Sequence, residues 1–326
     1  MSDNMETTGL SGPVQNKGKP VSARRVLTIL VFIAPTLLFY GFYNVFAIAK
    51  TIYFSFLDWN GIMSSGWAGW ANWIRLVHDP NVWYALKNNL ILMVTSICIQ
   101  LPGALILALL INSRLKGVRI FKALWFLPVL LSTSATGILW NLIYDPNFGL
   151  LQAVLRGIGK GGMVKGWLGE PAYALPCVLL VICWTFIPFY MILLKAGLTN
   201  VPGELMESAM LDGANSWQCF WHVTFPLLLP TIRTAALLNI VGSLKYFDLI
   251  WIMTGGGPGG ASELVATYLY KQGIQGWNMG YAAPLPASCF CFAVPLPLYT
   301  MAQPRRSGIL AARLIGEQGG GRPGEG

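Results

Sequence analysis

Residues 171–194 read PAYALPCVLLVICWTFIPFYMILL, twenty-four positions without a charge, bounded by Glu170 and Lys195. A helix of roughly 20 predominantly apolar residues spans a bilayer core. A helix that is apolar all round belongs in a membrane or a large core. Working outward, the same pattern recurs. Between Arg25 and Lys50 lie another 24 uncharged residues, and 90–111 and 123–144 add two more runs. Residues 227–252 form a fifth run that carries Arg233, Lys245 and Asp248. No charge appears between Lys271 and Arg305, which leaves room for a sixth at 281–302. The pattern predicts an all-α integral membrane protein with six transmembrane helices.

Composition supports that class. Of 326 residues, 55% are apolar and only 11% charged, against about 25% charged in soluble domains. Too few charges remain to cover the surface of a soluble enzyme, and the chain is too apolar for disorder. The net charge is +9. Twelve of its 22 basic residues fall in three stretches beside apolar runs: Lys17, Lys19, Arg24 and Arg25, then Arg114, Lys116, Arg119 and Lys122, then Arg305, Arg306, Arg313 and Arg322. That arrangement fits the positive-inside rule and not a nucleic-acid surface. The loop 112–122 has four basic residues and no acid, whereas 50–88 and 145–172 mix signs. Both termini are therefore expected in the cytoplasm, with the chain multi-pass in a membrane. The expected organisation is a basic tail over 1–25, a six-span domain over 26–303 and a Gly/Arg-rich tail over 304–326.

By this count the loop 201–226 also faces the cytoplasm, yet it is acidic. It reads VPGELMESAMLDGANSWQCFWHVTFP. Pro202 suits a first helical turn, and Glu204 and Glu207 suit the positive end of a helix dipole. Leu205, Met206, Ala209 and Met210 share one face. Gly213 can close the helix in a left-handed cap, and Asn215 or Ser216 can open a second short helix that stops before Pro226. The expected product is a helix–turn–helix on the membrane surface with an acidic exposed side.

Here the sequence resembles the permease subunits of binding-protein-dependent ABC importers, in the carbohydrate-uptake branch. Their signature runs Glu-Ala-Ala, three residues, Gly, nine residues, Ile, one residue, Leu-Pro. This chain has Glu207-Ser208-Ala209, Gly213, Val223 and Phe225-Pro226 at that spacing. Three substitutions depart from it: Ser for Ala, Val for Ile and Phe for Leu. Phe126-Leu-Pro128, Trp140 through Tyr144-Asp-Pro146, Gly149-Leu-Leu151 and Met253-Thr-Gly-Gly-Gly-Pro258 also look like this branch. The resemblance covers roughly 26–283 and implies a type I ABC importer permease. It implies that the loop is a coupling helix seated on a separate ATPase subunit, with Glu204, Glu207, Ser208, Ala209, Asp212 and Gly213 as docking residues. It further implies as partners a second permease subunit, two ATPase subunits, an external solute-binding protein, a sugar substrate and the lipid bilayer, in the cytoplasmic (inner) membrane of a prokaryote.

The chain has no Walker A pattern: Gly157-Ile-Gly-Lys160-Gly-Gly lacks the spacing and the Lys-Ser/Thr ending. ATP binding is therefore assigned to a partner, and the permease itself needs no cofactor. His78 and His222 stand alone, and the six cysteines show no metal spacing, so neither a metal site nor catalytic residues are expected. The Gly255–Gly260 stretch reads as a flexible outer loop. Asn239, Ser243 and Tyr246 recur at i, i+4 and i+7 and make a polar stripe on the fifth run. The stripe is either a sugar path or interhelical hydrogen bonding. Trp184 and Tyr190 can stack on a sugar or anchor packing. Lys245 and Asp248, at i and i+3, are expected to pair.

After Ala283 the character changes, with Pro284, Pro286, Pro295 and Pro297 inside the sixth run. The family resemblance stops there. Either the reading frame has shifted or the last span is kinked. The competing functional class is a secondary transporter acting without an ATPase. It calls for an ion-coupling site and often an inverted repeat, neither of which the sequence displays.

Overall fold

The computed structural model describes residues 23–112, 117–163 and 165–293. The N-terminal tail to residue 22, the centre of the basic loop, and everything after 293 lie outside the described residues. So do residues 294–302 of the expected sixth span and the Gly/Arg-rich tail. The chain divides into two compact units, Met1–Ile52 and Tyr53–Gly326.

The first unit carries one apolar helix. Val31–Phe54 is long and apolar enough to cross a membrane, and none of its window is buried. The second unit holds three more such helices: Pro80–Asn112, Pro171–Thr199 and Ser216–Leu244. A further pair, Val118–Leu130 and Thr133–Tyr144, passes the same test but is bent by 100°. Among the described residues, four to five helices can therefore cross a membrane.

The expected straight span over 123–144 is thus corrected. Pro128 sits in the last turn of Val118–Leu130, Leu131 is extended, and the Ser132 hydroxyl accepts from Ala135 N at 3.1 Å to start a new helix. The fifth expected run, 227–252, is also corrected. Its helix ends at Leu244, and a separate short helix, Asp248–Met253, follows. The helix end is capped from a distance: Asn89 Nδ2 donates to Ser243 O at 3.1 Å, satisfying a last-turn carbonyl. Because the helix stops there, Lys245 and Asp248 are not on consecutive turns. Among the described residues they form no ion pair; the recorded pair is Lys271 with Glu263.

The core sits where three helices meet. Leu101, Ala104, Leu107, Ala108 and Ile111 pack with Tyr190, Met191, Leu194 and Leu198, and with Leu228 and Ala235. Small residues set the spacing, as they do where lipid removes the hydrophobic drive between helices. Ala104 and Ala108 are fully buried. A Cβ on Gly197 would lie 2.7 Å from Thr231 Oγ1 and 2.8 Å from Leu228 Cδ1. The backbones approach closely only because glycine stands there.

One antiparallel hairpin, Leu57–Trp59 with Ser64–Trp67, departs from the all-α expectation. It follows the first helix directly and is tied to the second unit's body. A Cβ on Gly280 would lie 2.2 Å from Leu57 O. Nearby, Asp79 Oδ2 accepts from the hydroxyls of Tyr268 and Tyr281, each at 2.5 Å. Burial pushes the Asp79 carboxyl up, but these bonds and those from Asn81 outweigh it and hold the group below its ordinary value.

The glycine-rich stretch is not the flexible loop the sequence suggests. Ser262 and Leu264 are fully buried. Asn88 Nδ2 points at the carbonyls of Ala261 (3.1 Å) and Glu263 (2.9 Å), and Asn89 Oδ1 accepts from Val265 N at 2.9 Å. Gly256 has φ +83°, and a Cβ there would lie 2.6 Å from the Glu263 carboxylate. Left-handed backbone costs a side chain roughly 1–2 kcal/mol before any clash. Gly256→Ala is expected to destabilise the purified protein by about 2 kcal/mol or more. A melting curve in detergent checks this; an unchanged midpoint would mean the loop is loosely held.

Candidate functional site

Two places concentrate the polar chemistry: the acidic loop and a cavity between helices.

In the loop, Pro202 is the N-cap and the first helix runs Gly203–Leu211, one residue later than the sequence suggests. Its end is a Schellman motif, with Ala214 N bonding Ala209 O at 3.0 Å and Gly213 N bonding Met210 O at 3.1 Å. Gly213 takes φ +87°, as the left-handed cap requires. Asn215 then caps the second helix: its Oδ1 accepts from Gln218 N, and Gln218 Oε1 accepts from Asn215 N, both at 2.9 Å. This reciprocal capping box satisfies two otherwise orphan donors.

The second helix does not stop before Pro226. A wider π turn, Phe220–Thr224, intervenes, in which Phe225 N reaches back to Phe220 O. The looser turn accommodates the missing N–H of Pro226, so the chain continues unbroken as Ser216–Leu244. The loop and the third helix of the core are consequently one element.

Helix Gly203–Leu211 packs against the start of this element. Leu205, Met206 and Ala209 are half-buried, as their shared face predicts. Glu204, Glu207, Ser208, Asp212 and Gly213 are exposed. Met210 departs from its expected face and is 51% exposed. Leu211 is 89% exposed and Trp217 69%, neither signalled by the face analysis. An acidic surface that also displays a leucine, a methionine and a tryptophan to solvent has the make-up of a protein-docking patch.

The structure brings Asn239, Ser243 and Tyr246 to one cavity of about 50 Å³, although Tyr246 lies past the helix end. Ser96, Gln100 and Tyr190 complete its polar lining. Asn239 Nδ2 donates to Gln100 Oε1 at 2.9 Å, and Gln100 Nε2 donates to Ser96 Oγ at 3.1 Å. Ser96 and Gln100 bracket a π turn in Pro80–Asn112, and such turns recur at functional positions. Two buried atoms keep no partner: Asn239 Oδ1, an acceptor, and the Tyr246 hydroxyl. An unpaired buried polar group costs free energy unless a ligand or water satisfies it.

The cavity can hold water, which needs about 10–15 Å³ of such space. It is far below the ~300 Å³ at which ligand pockets begin, so it admits no sugar-sized ligand in this arrangement. Trp184 does not line it; its ring meets Trp140 edge-on at 5.5 Å, which is packing. Ser96 and Gln100 were the residues the sequence reading missed. Their signal was a pair of polar side chains at i and i+4 inside the otherwise apolar run 90–111.

Comparison with known proteins places the whole chain. Residues 88–306 match the family described as binding-protein-dependent transport system inner membrane component. The match runs through the proline-rich segment, past the point where the resemblance seemed to end. A probable ABC transporter permease protein of Pyrococcus horikoshii, PH1215, is 33% identical over 271 residues, covering 83% of this chain and 93% of its own length. The lactose transport system permease protein LacF of Rhizobium radiobacter is 30% identical over 244 residues, covering 74% and 81%. The crystal structure of a bacterial ABC transporter involved in importing the acidic polysaccharide alginate superimposes with a TM-score of 0.75 at 23% identity. It covers 87% of this chain and 96% of that one. That likeness shows the fold, which the two chains share.

Proposed function

The chain belongs to the inner membrane components of binding-protein-dependent transport systems, and on that premise we propose how its two sites divide the work of a sugar importer. It is a transport subunit, not an enzyme. Hydrolysis falls to separate ATPase subunits, two per complex, with a second permease beside this one and an external solute-binding protein delivering the sugar. Carbohydrate is the favoured cargo because LacF is named for lactose and the structural neighbour for alginate.

In this reading the 201–226 loop docks in the ATPase, with Glu204, Glu207, Ser208, Asp212 and Gly213 at the contact and Ala209 holding the helix in place. The observation that carries it is the exposure of Leu211 and Trp217 amid acids. The cavity around Asn239, Ser243 and Tyr246 lies on the sugar path. Its unpaired acceptor and hydroxyl suit sugar hydroxyls, which both donate and accept. ATP-driven closure of the ATPases would favour the outward-open arrangement and hydrolysis would reset it, a population shift between two states. Co-purification with an ATPase, and uptake that needs ATP and no ion gradient, test the reading. Uptake driven by an ion gradient alone would overturn it in favour of a secondary transporter.

The proposed topology has six spans, the sixth within 281–302, with both termini in the cytoplasm. A single cysteine at Ser208 is expected to react with a membrane-impermeant reagent only from the cytoplasmic side, and one at Lys160 only from outside. Labelling of position 208 in intact cells with an opened outer membrane would reverse the orientation and remove the docking assignment with it.

A further inference from the structure

The segment that follows the first apolar helix carries an exposed apolar face. In hairpin Leu57–Trp59/Ser64–Trp67 and helix Ala71–His78, Asn72 and Trp73 face the protein beside the buried Leu76, while Asp58, Asn60, Arg75 and His78 are exposed. Asn72 Nδ2 donates to Ser55 O (3.0 Å) and Leu57 O (2.9 Å), and Trp73 Nε1 donates to Ser55 Oγ at 3.1 Å. The Arg75 guanidinium lies over the Tyr281 ring, 3.9 Å from its centre. The opposite side is apolar. Ile62 and Met63 at the hairpin tip, Trp67, Trp70, Ile74 and Val77 are each between 55% and 74% exposed. Trp70, Ile74 and Val77 fall at i, i+4 and i+7, one continuous stripe on the helix. A water-facing segment would show the reverse pattern.

What covers this face follows from where the chain comes from. The candidate span Val31–Phe54 ends two residues before Phe56, so the hairpin starts at a bilayer boundary. Tryptophans gather at that depth, where an amphipathic ring meets both tail and headgroup. Between residues 53 and 78 the only full charges are Asp58 and Arg75. The aromatic rings brace one another: Phe56 stacks on Trp67 at 5.7 Å and meets Trp70 edge-on at 5.1 Å. That gives the apolar face a fixed shape before any partner arrives.

We propose that residues 56–78 form a foot lying in the lipid headgroup layer, its stripe of Ile62, Met63, Trp67, Trp70, Ile74 and Val77 immersed in the interface. The inference rests on membrane insertion alone, and does not depend on the cargo or on the ATPase contact. An amphipathic element of this kind binds with its apolar face roughly 5–10 Å into the interface.

The test uses the full chain, assembled with its ATPase in nanodiscs, with the six native cysteines replaced and sugar-dependent ATP hydrolysis retained. A fluorophore is placed by Ile62→Cys, by Val77→Cys or, for reference, by Lys160→Cys. Nitroxide lipids labelled at the headgroup are expected to quench positions 62 and 77 at least about twofold more than position 160, because interfacial residues sit at headgroup depth. Aqueous iodide should show the opposite order. Two results would overturn the proposal: positions 62 and 77 quenched by iodide as readily as 160, or lipid quenching absent and an apolar signal appearing only when the solute-binding protein is added. The second result would assign the face to a protein partner.

Discussion

Glu207→Lys is expected to cut ATP-driven sugar uptake by about thirtyfold or more while the protein still reaches the membrane. Glu207 is exposed and no described span contains it, so insertion has no need of its charge. Docking does. A carboxylate that meets a basic residue in a closing groove loses water, and removing one partner of such a pair costs roughly 2–5 kcal/mol. About 1.4 kcal/mol is tenfold in affinity. Gly213→Val should produce the same phenotype by a different route. The cap at φ +87° has nothing within 4 Å of an added Cβ, so the strain is in the backbone and not in packing. A β-branched residue at positive φ is a steric outlier. Asn tolerates that region, so Gly213→Asn should keep most activity. Three measurements decide: uptake, ATP hydrolysis and ATPase co-purification. A change to acid in the ATPase groove should partly restore Glu207→Lys. If both primary variants transport at the normal rate, the loop is not where the ATPase acts.

The second large effect is expected at the cavity. Asn239→Ala removes the Gln100 partner and leaves a buried amide oxygen without its donor. Such losses run to about 1–3 kcal/mol, or roughly 5- to 150-fold. Ser243→Leu fills space that the cavity needs. If these residues line the sugar path, uptake falls while ATPase assembly and thermal stability stay near normal. If they are interhelical glue, stability falls and uptake per folded molecule does not. A double-mutant cycle between Asn239 and Gln100 separates the pair from the sugar, since residues in contact couple by about 0.5–3 kcal/mol.

Much of this molecule was legible where the deciding interactions are local. Uncharged runs announced the spans, because a charge in hydrocarbon is costly. The turn at Gly213 and the cap at Asn215 were legible because a Schellman motif and a capping box close within a few residues. The breaks were not, because they depend on distant partners. The end of the helix at Leu244 involves Asn89, more than 150 positions earlier. The glycine-rich stretch looked mobile from composition, yet Asn88 fastens it across a similar distance. Gln100 has only a weak local signature, Ser96 one turn before it; its neighbour across the interface, Asn239, gives it meaning. Leu211 and Trp217 escaped notice because exposed apolar residues matter through what they lack, a cover.

The continuity of Ser216–Leu244 has a mechanical consequence. Asn239 lies 20 residues beyond Cys219 on the same helix, which at 1.5 Å per residue is about 30 Å. The π turn Phe220–Thr224 and Pro230 interrupt the regular hydrogen-bond ladder on the way, so the element is a lever with two points at which it can bend. A tilt of about five degrees would carry the far end by nearly 3 Å, the diameter of a water molecule and enough to open or seal a polar gap. Under the proposed docking and sugar path, the stiffness of this element at those two points sets how faithfully a displacement at the loop reaches the cavity.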